Sequence, residues 1–551
     1  MKRKILAFLL AGAMLGAVSL PAQAAELDAA ALGAHTDAAV VAADYPAVGS
    51  QLAPSGELPS YYSSRDLGYT TPVRQQRYNT CWAYSSTAAL ESRLLRYGEN
   101  ASHFSTMFMN YWGMPDENGK GWQRIVSAPG YPYIALGSLT SFGAVPDESF
   151  PDTKDYADYL SEKDSLRPTH SVNSVIYLET SDSDTVKTAI MDYGAVVGNF
   201  HYSISYAAGN NVAYCCDVPG LMTYQLNGHA VSVVGWDDSY SRLNFASDHQ
   251  PAENGAWLCK NSWGESSGED GYFWISYEDY YLFDSRFGPS YAISGVSAMD
   301  GLNKIQQNEI YGASYEFDYI GGKKFQQLSF VNVLDFSNAY CDIDKVIFES
   351  TCEGAPYTVY YVPLDENDVP IDDMSQWVQL AQGTVDYQGY ISADVSGFKA
   401  PLKKGGVCVQ FQKPANKKIS IGTQEWLSSG GNYIFEPKNE RGTSYILGYK
   451  SQPVDLMDFY YDNSTTPDGN PDTVGGTFVI KALCRGTPGD VDRDGELTIA
   501  DVTLSQRYQA EMSELTDEQL RFADFDNDGE VLITDCTLIQ RVLAEIDEPS
   551  E

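Results

Sequence analysis

The chain has 551 residues, with 74 acidic side chains against 36 basic ones and a formal net charge of −38. A surplus of that size argues against nucleic acid and anionic membranes as partners and favours sites that bind cations. At about 150 residues per domain, the length has room for three or four units. Nine cysteines, an odd number without regular spacing, do not make a disulfide framework.

The N-terminus reads as a secretory signal peptide over residues 1–24. Lys2, Arg3 and Lys4 form a basic start, Ile5 to Leu20 is apolar, and Ala22-Gln23-Ala24 is a small-x-small cleavage site. The apolar run is too short to span a bilayer comfortably. The mature protein is therefore expected to be secreted, with no membrane span. Residues 25–58, rich in Ala with Asp, Gly and Pro, read as a linker or a short pro-segment.

A compact unit is expected over residues 59–297. Its first half reads helical around Cys81–Tyr97, Ser105–Tyr111 and Asp184–Tyr193, and its second half reads as strands at Ala230–Trp236, Gly255–Lys260 and Gly271–Tyr277. That order predicts an α+β unit with a cleft between a helical and a sheet half. Cys81 opens the first helical stretch, with Thr80 as its candidate N-cap. A thiol at a helix start ionises more easily, because the unpaired N–H groups and the positive dipole end favour the thiolate. Gln75, six residues upstream, has an amide able to donate to an oxyanion. His229 enters an apolar strand in Asn-Gly-His-Ala-Val-Ser-Val-Val, and Asn261 stands in Lys-Asn-Ser-Trp-Gly. The Asn carbonyl can accept from one imidazole nitrogen and leave the other facing the thiol, with Trp263 shielding that bond. His35, His103, His170, His201 and His249 lack such a setting.

The strings around Gln75, Cys81-Trp82, Gly228-His229-Ala230 and Asn261-Ser262-Trp263-Gly264, in this order, resemble the papain-like cysteine peptidases. The chain departs from that pattern at Gln76 and Asn79, where a Gly is common, and at Tyr78, where many relatives carry a disulfide-forming Cys. The resemblance implies a two-lobed fold and hydrolysis of protein or peptide substrates. Cys81 would be the nucleophile, His229 the base and acid, Asn261 its orienter and Gln75 an oxyanion donor. It further implies a thiolate–imidazolium pair at neutral pH. Two other readings of these residues stay open: an inactive papain-like fold that only binds carbohydrate or protein, and a Cys-His-Asn transpeptidase or amidase.

From 298 to 485 the helical signal fades. Alternating runs such as Tyr357–Val362 and Val407–Gln412, separated by Gly, Asp, Asn and Pro clusters, predict an all-β sandwich or jelly roll. Its place behind the peptidase unit resembles the lectin-like domain of some bacterial papain-like peptidases. Trp377, Tyr387 and Trp426 are candidates for stacking on sugar rings, a carbohydrate-binding role, or for packing the sheet faces.

The last unit, residues 486–551, contains a repeat offset by 34 residues (524 − 490). Each copy is a twelve-residue acidic loop with Gly at its sixth position, which suits calcium. Loop one offers Asp490, Asp492, Asp494, the Glu496 carbonyl, Thr498 and Asp501; loop two offers Asp524, Asp526, Asp528, the Glu530 carbonyl and Asp535, with Leu532 at the ninth position. Asp at position twelve and a helix after each loop resemble a type I dockerin. The resemblance implies two Ca2+ ions, a small all-α fold and a cohesin module of a scaffoldin as partner, as in a cellulosome at the cell surface. The expected contact residues are Ile499-Ala500 and Ile533-Thr534.

Overall fold

The computed structural model describes residues 57–544 and 546, apart from 117, 179–181, 223–224, 313–314, 320–326, 396, 414–418, 426, 429–433, 437–438, 459–475 and 527. The expected signal peptide, most of the segment after it and Trp426 lie outside the described residues.

The helical half of the first unit is built from α1 (Cys81–Arg96), α2 (Thr106–Trp112), α3 (Pro132–Ser141) and α4 (Tyr156–Glu162). Nearly every side chain of α1 from Cys81 to Leu94 is buried. A helix covered on all sides belongs between two bodies rather than on a surface. One body is the helical half, through Leu90, Leu94, Ile134, Leu136 and Leu139. The other is a sheet: the Ser232 hydroxyl donates to the Ser85 carbonyl at 2.9 Å, and Ser86 meets the Tyr291 hydroxyl at 2.6 Å.

That sheet carries strands Val196–His201, Gly228–Asp237, Ala256–Lys260 and Tyr272–Ser276, with helix α5 (Ser183–Tyr193) packed in the same lobe. Pairing is antiparallel, with Phe200 opposite His229 and Lys260 opposite Tyr272. Sequence periodicity anticipates α1, α2, α5 and the last three of these strands to within a few residues, but not Val196–His201. It misses α3 and α4; α3 is buried on nearly every face, its small polar residues included, and shows no stripe.

The sheet does not stop at residue 298. His170–Leu178 and Ser290–Ala298 pair along their length, and Gly389–Asp394 of the β-rich region then adds to the free edge of His170–Leu178. The addition is short and close: Gly389 sits opposite Ile176 at φ +128°, and a Cβ there would lie 2.1 Å from the Val175 carbonyl. Only glycine fits that approach. Beyond it the sheet continues through Asp342–Ser350, Ile480–Arg485 and Asn303–Gln306. A second sheet of six strands, with Gln327–Asp335 and Lys404–Gln412 at its centre, faces this extension across Phe330, Phe348, Phe411 and Phe478. The β-rich region is thus a sandwich, one layer of which continues the peptidase sheet.

The same region also grips the helical half. The Lys481 ammonium and the Glu309 carboxylate, both fully buried, pair at 2.6 Å, and Lys481 also donates to the Thr140 and Ser141 hydroxyls at the end of α3. Burial pulls the Lys481 pKa down, against the attraction of Glu309. A backbone strap follows: the Tyr311 carbonyl would lie 2.3 Å from a Cβ at Gly137 of α3.

The C-terminal unit contains α6 (Ile499–Gln509), α7 (Asp517–Ala523) and α8 (Ile533–Leu543), one helix after each acidic loop and one between the halves. Thr516 and Gln519 form the capping box that their spacing predicts for α7. Among the described residues no helix is long and apolar enough to cross a membrane.

Removing one member of a buried ion pair strands the other, at a cost of about 3–5 kcal/mol. Lys481→Met is therefore expected to lower the thermal midpoint of the whole chain sharply, and Lys481→Met with Glu309→Gln to recover most of the loss. Equal midpoints for wild type and Lys481→Met in differential scanning fluorimetry would refute this account of the junction.

Candidate active site and acidic loops

Cys81 is the first residue of α1 and fully buried. Thr80 holds the N-cap position, as its sequence place suggests, but its hydroxyl turns back to the Arg77 carbonyl and no side chain caps the helix. The positive helix end is therefore left for the site itself. The turn before it is tight, with Tyr78 at φ +64°.

His229 lies on the strand packed against α1 and is 1% exposed. Its Nε2 meets Asn261 Oδ1 at 2.9 Å, and the Trp263 indole stacks on the ring at 4.5 Å between centroids and 25°. The shielding role expected of Trp263 is the geometry found. Nδ1 is buried and makes no hydrogen bond to any described residue. Burial pulls the imidazole down to about 4, with the Asn261 bond working the other way. A charged His229 therefore needs a compensating anion, and burial alone does not yield the neutral-pH imidazolium that the sequence resemblance implies.

Gln75 is exposed, and its segment is stitched to the Asn261 loop. Gln75 bridges Trp263 through the backbone, Gln76 N–H donates to the Ser262 carbonyl at 2.6 Å, and Gly264 N–H donates to the Arg74 carbonyl at 3.2 Å. Gly264, at φ +76°, would place a Cβ 3.4 Å from Gln75 Oε1. Sequence reading treats Gln76 only as a departure from Gly. Its buried amide is in fact the clasp: Oε1 accepts from Ser262 Oγ at 2.7 Å and Nε2 donates to the Tyr78 carbonyl at 2.9 Å.

A second group escapes the sequence reading. Glu91, on the buried side of α1, accepts from the Phe104 N–H at 3.1 Å and from the Thr71 hydroxyl, which in turn accepts from Lys260 Nζ at 2.9 Å. Lys260 precedes Asn261, and burial pulls it down to about 8 against the attraction of Glu91. A carboxylate among the apolar residues of α1 is the signal that could have marked it.

The acidic loops bring together the residues expected of them. Carboxylate oxygens of Asp490, Asp492 and Asp494 lie within 4.8 Å of one another, as do those of Asp524, Asp526 and Asp528. Asp501 closes loop one by accepting from the N–H groups of Asp492 and Thr498, and Asp535 closes loop two from Phe525 and Leu532. Gly495 and Gly529, at φ +89° and +91°, supply the sixth-position turn. Burial, with Asp501, Asp494 and Asp492 nearby, pushes the Asp490 carboxyl up to about 6. Converging carboxylates, with burial pushing Asp490 and Asp524 up, fit a divalent cation. Glu496 and Glu530 stand at the seventh positions, where a backbone carbonyl is the ligand. The Thr498 hydroxyl accepts from the Ala500 N–H at 3.1 Å and caps α6. Ile499, Ala500, Ile533 and Thr534 are all exposed. In the sandwich, the Trp377 indole donates to the Ile371 carbonyl at 2.8 Å and the Tyr387 hydroxyl meets Ser174 at 2.5 Å. Both rings are committed to packing contacts.

The model of the papain family cysteine proteases matches residues 58–285, and that of the dockerin type I domain matches residues 488–544. The crystal structure of the cysteine protease and lectin-like domains of Cwp84, a surface layer associated protein of Clostridium difficile, is 30% identical with a TM-score of 0.68, over 84% of this chain and 94% of that one. The chain belongs to the papain family of cysteine proteases. A second structure, a variant of the clostridial cysteine protease Cwp84 after propeptide cleavage, is 32% identical with a TM-score of 0.66, over 78% of this chain and 100% of that one. Among sequences, the probable cysteine protease RD19B of Arabidopsis thaliana is 28% identical over 234 residues, 41% of this chain, and cathepsin J of Mus musculus is 29% identical over 225 residues, 40% of this chain. The chain spans about 60% of the length of these two relatives. The papain-family assignment accounts for the helical and sheet lobes, the Cwp84 likeness for the lectin-like sandwich, and the dockerin match for the acidic repeat.

In a Cys81→Ala variant no thiolate can form at the start of α1, and burial, opposed by the Asn261 bond, governs His229. Its ring is then expected to titrate near 4, against about 6.5 in the unfolded chain. Between those values the unfolded state binds more protons, so stability of the variant falls as pH drops from about 6.5 to 4. Histidine-ring NMR of Cys81→Ala checks this, and a ring titrating above about 6.5 there would contradict the burial argument.

Proposed function

We propose that the chain is a secreted cysteine endopeptidase whose C-terminal dockerin carries it to a cohesin-bearing scaffoldin. The observation that supports the catalytic reading is the His229–Asn261 bond under Trp263, on a strand packed against the helix that Cys81 opens. In this reading Cys81 gives its proton to His229 Nδ1, and the attraction between thiolate and imidazolium, with the uncapped helix end, offsets the desolvation that pulls His229 down. The thiolate attacks the peptide carbonyl carbon. Gln75 and the Cys81 N–H stabilise the oxyanion. His229 returns its proton to the leaving amine, and a water, deprotonated by His229, releases the acyl group and restores the thiol.

In the tail, Asp490, Asp492, Asp494, the Glu496 carbonyl, Thr498 and Asp501 would hold one Ca2+ ion, and Asp524, Asp526, Asp528, the Glu530 carbonyl and Asp535 a second. Calcium supplies the positive charge that lets these carboxylates converge. The domain limits 59–297, 298–485 and 486–551 describe units that differ in composition and chemistry but share one sheet across the first junction. Cleavage after Ala24 and cell-surface attachment follow from the N-terminal signal and the dockerin.

Cys81→Ala is expected to abolish hydrolysis of casein, and His229→Ala to cost nearly as much, since the pair acts as a unit. Gln75→Ala is expected to lower the rate on the order of 10²–10³-fold, as for loss of one oxyanion donor. An epoxide directed at thiols should label Cys81 in the wild type, read by mass spectrometry of the peptide. Casein hydrolysis that survives in Cys81→Ala would overturn the reading. Turnover of cell-wall peptides without casein cleavage would replace it with an amidase.

A further inference from the structure

Two halves with the same sequence pattern are expected to have the same surroundings, and here they do not. Loop one faces the β-rich sandwich. Its Gly495 carbonyl accepts from Lys399 Nζ, and a Cβ at Gly495 would lie 2.8 Å from Leu402 Cδ1. Arg493, at φ +64° between two of the clustered aspartates, donates to the Asn338 carbonyl at 2.6 Å and to Glu518 of α7 at 2.5 Å. Helix α7 joins the same contact. Phe522 is fully buried in the sandwich core, edge-on to Tyr340 at 5.4 Å, and Glu518 reaches Lys304 at 4.0 Å. Gln519 of α7 donates to the Val491 carbonyl at 3.1 Å, tying helix to loop.

Among the described residues, loop two has none of this. A Cβ at Gly529, the equivalent of Gly495, would meet nothing within 4 Å. Leu532 and Ile533 beside it are 41% and 60% exposed.

We propose that loop one is a calcium-operated latch: once filled, it docks the C-terminal unit onto the chain's own sandwich and leaves loop two and the exposed Ile499, Ala500, Ile533 and Thr534 for the partner. The inference rests on the calcium reading above. Arg493 and Gly495 reach the sandwich only while Asp490, Asp492 and Asp494 converge, because their backbone positions lie between and just after those carboxylates. Without a cation, the three like charges push the loop open, and the Asn338, Lys399 and Leu402 contacts go with it. A contact made only by the closed loop must in turn favour the ion in that loop by the same factor. The docked unit is then a rigid extension of the sandwich, not a bead on a tether.

The test uses the full chain and calcium alone. Titration calorimetry is expected to show two sites, and Lys399→Ala or Leu402→Ala, each a surface change far from Cys81, to weaken one of them about 5-fold or more and leave the other unchanged. Hydrogen exchange at residues 338–341 and 399–402 is expected to rise when calcium is chelated, with the strands around His229 unaffected. If both sites bind calcium with equal affinity in wild type and variants, and exchange at 338–341 ignores chelation, the latch is overturned while the calcium reading stands. If no heat of calcium binding is seen in the wild type, the calcium reading itself fails and the latch with it.

Discussion

Taking an imidazole out of water is the constraint around which this active site is built. His229 is buried under Trp263, and burial alone would keep it neutral well below neutral pH. The arrangement that surrounds it answers that cost. Asn261 holds one nitrogen, the sulfur of Cys81 stands at a helix start with no competing cap, and the Gln76–Ser262 clasp fixes the two segments relative to each other. Each of these would be of little use without the others, because an unpaired charge here has no solvent to fall back on. The Glu91 group repeats the logic behind Asn261: a buried carboxylate kept charged by His103, Lys260 and Arg74, with Thr71 bridging it to Lys260.

The lobes that carry these residues are not held by α1 alone. The sandwich adds a strand to one lobe at Gly389 and inserts Lys481 beside α3 of the other. It therefore grips both lobes of the fold. The two grips differ in kind. Backbone pairing at Gly389 demands the absence of a side chain, whereas Lys481 and Glu309 demand each other.

The catalytic constellation was legible because its residue types are rare and their order is fixed: a Cys before a helix, a His entering an apolar strand, an Asn before Ser-Trp-Gly. The acidic loops were legible for a simpler reason, since Asp at alternate positions with Gly at the sixth has few other uses. What stayed hidden depends on non-local pairing. Gln76 looks like a lost glycine until Ser262 is beside it. The continuity of the sheet past residue 298 rests on the two-residue match of Gly389 and Tyr390 with Ile176 and Val175, which no local pattern announces. Helix α3 is buried on nearly every face, small polar residues included, so no stripe marks it. Thr80 shows the reverse case, in which the place was legible and the direction of the hydroxyl was not.

The final strand of the sandwich, Ile480–Arg485, is flanked on both sides by antiparallel neighbours and leads within a few residues to the dockerin. Pulled along its own axis, that strand loads its hydrogen bonds to Asn303–Gln306 and Asp342–Phe348 together, in shear, instead of opening them one at a time. Phe522, seated in the sandwich core, moves part of the load off the connecting residues. The join between the sandwich and the C-terminal unit is thus built as a lap joint that resists pulling.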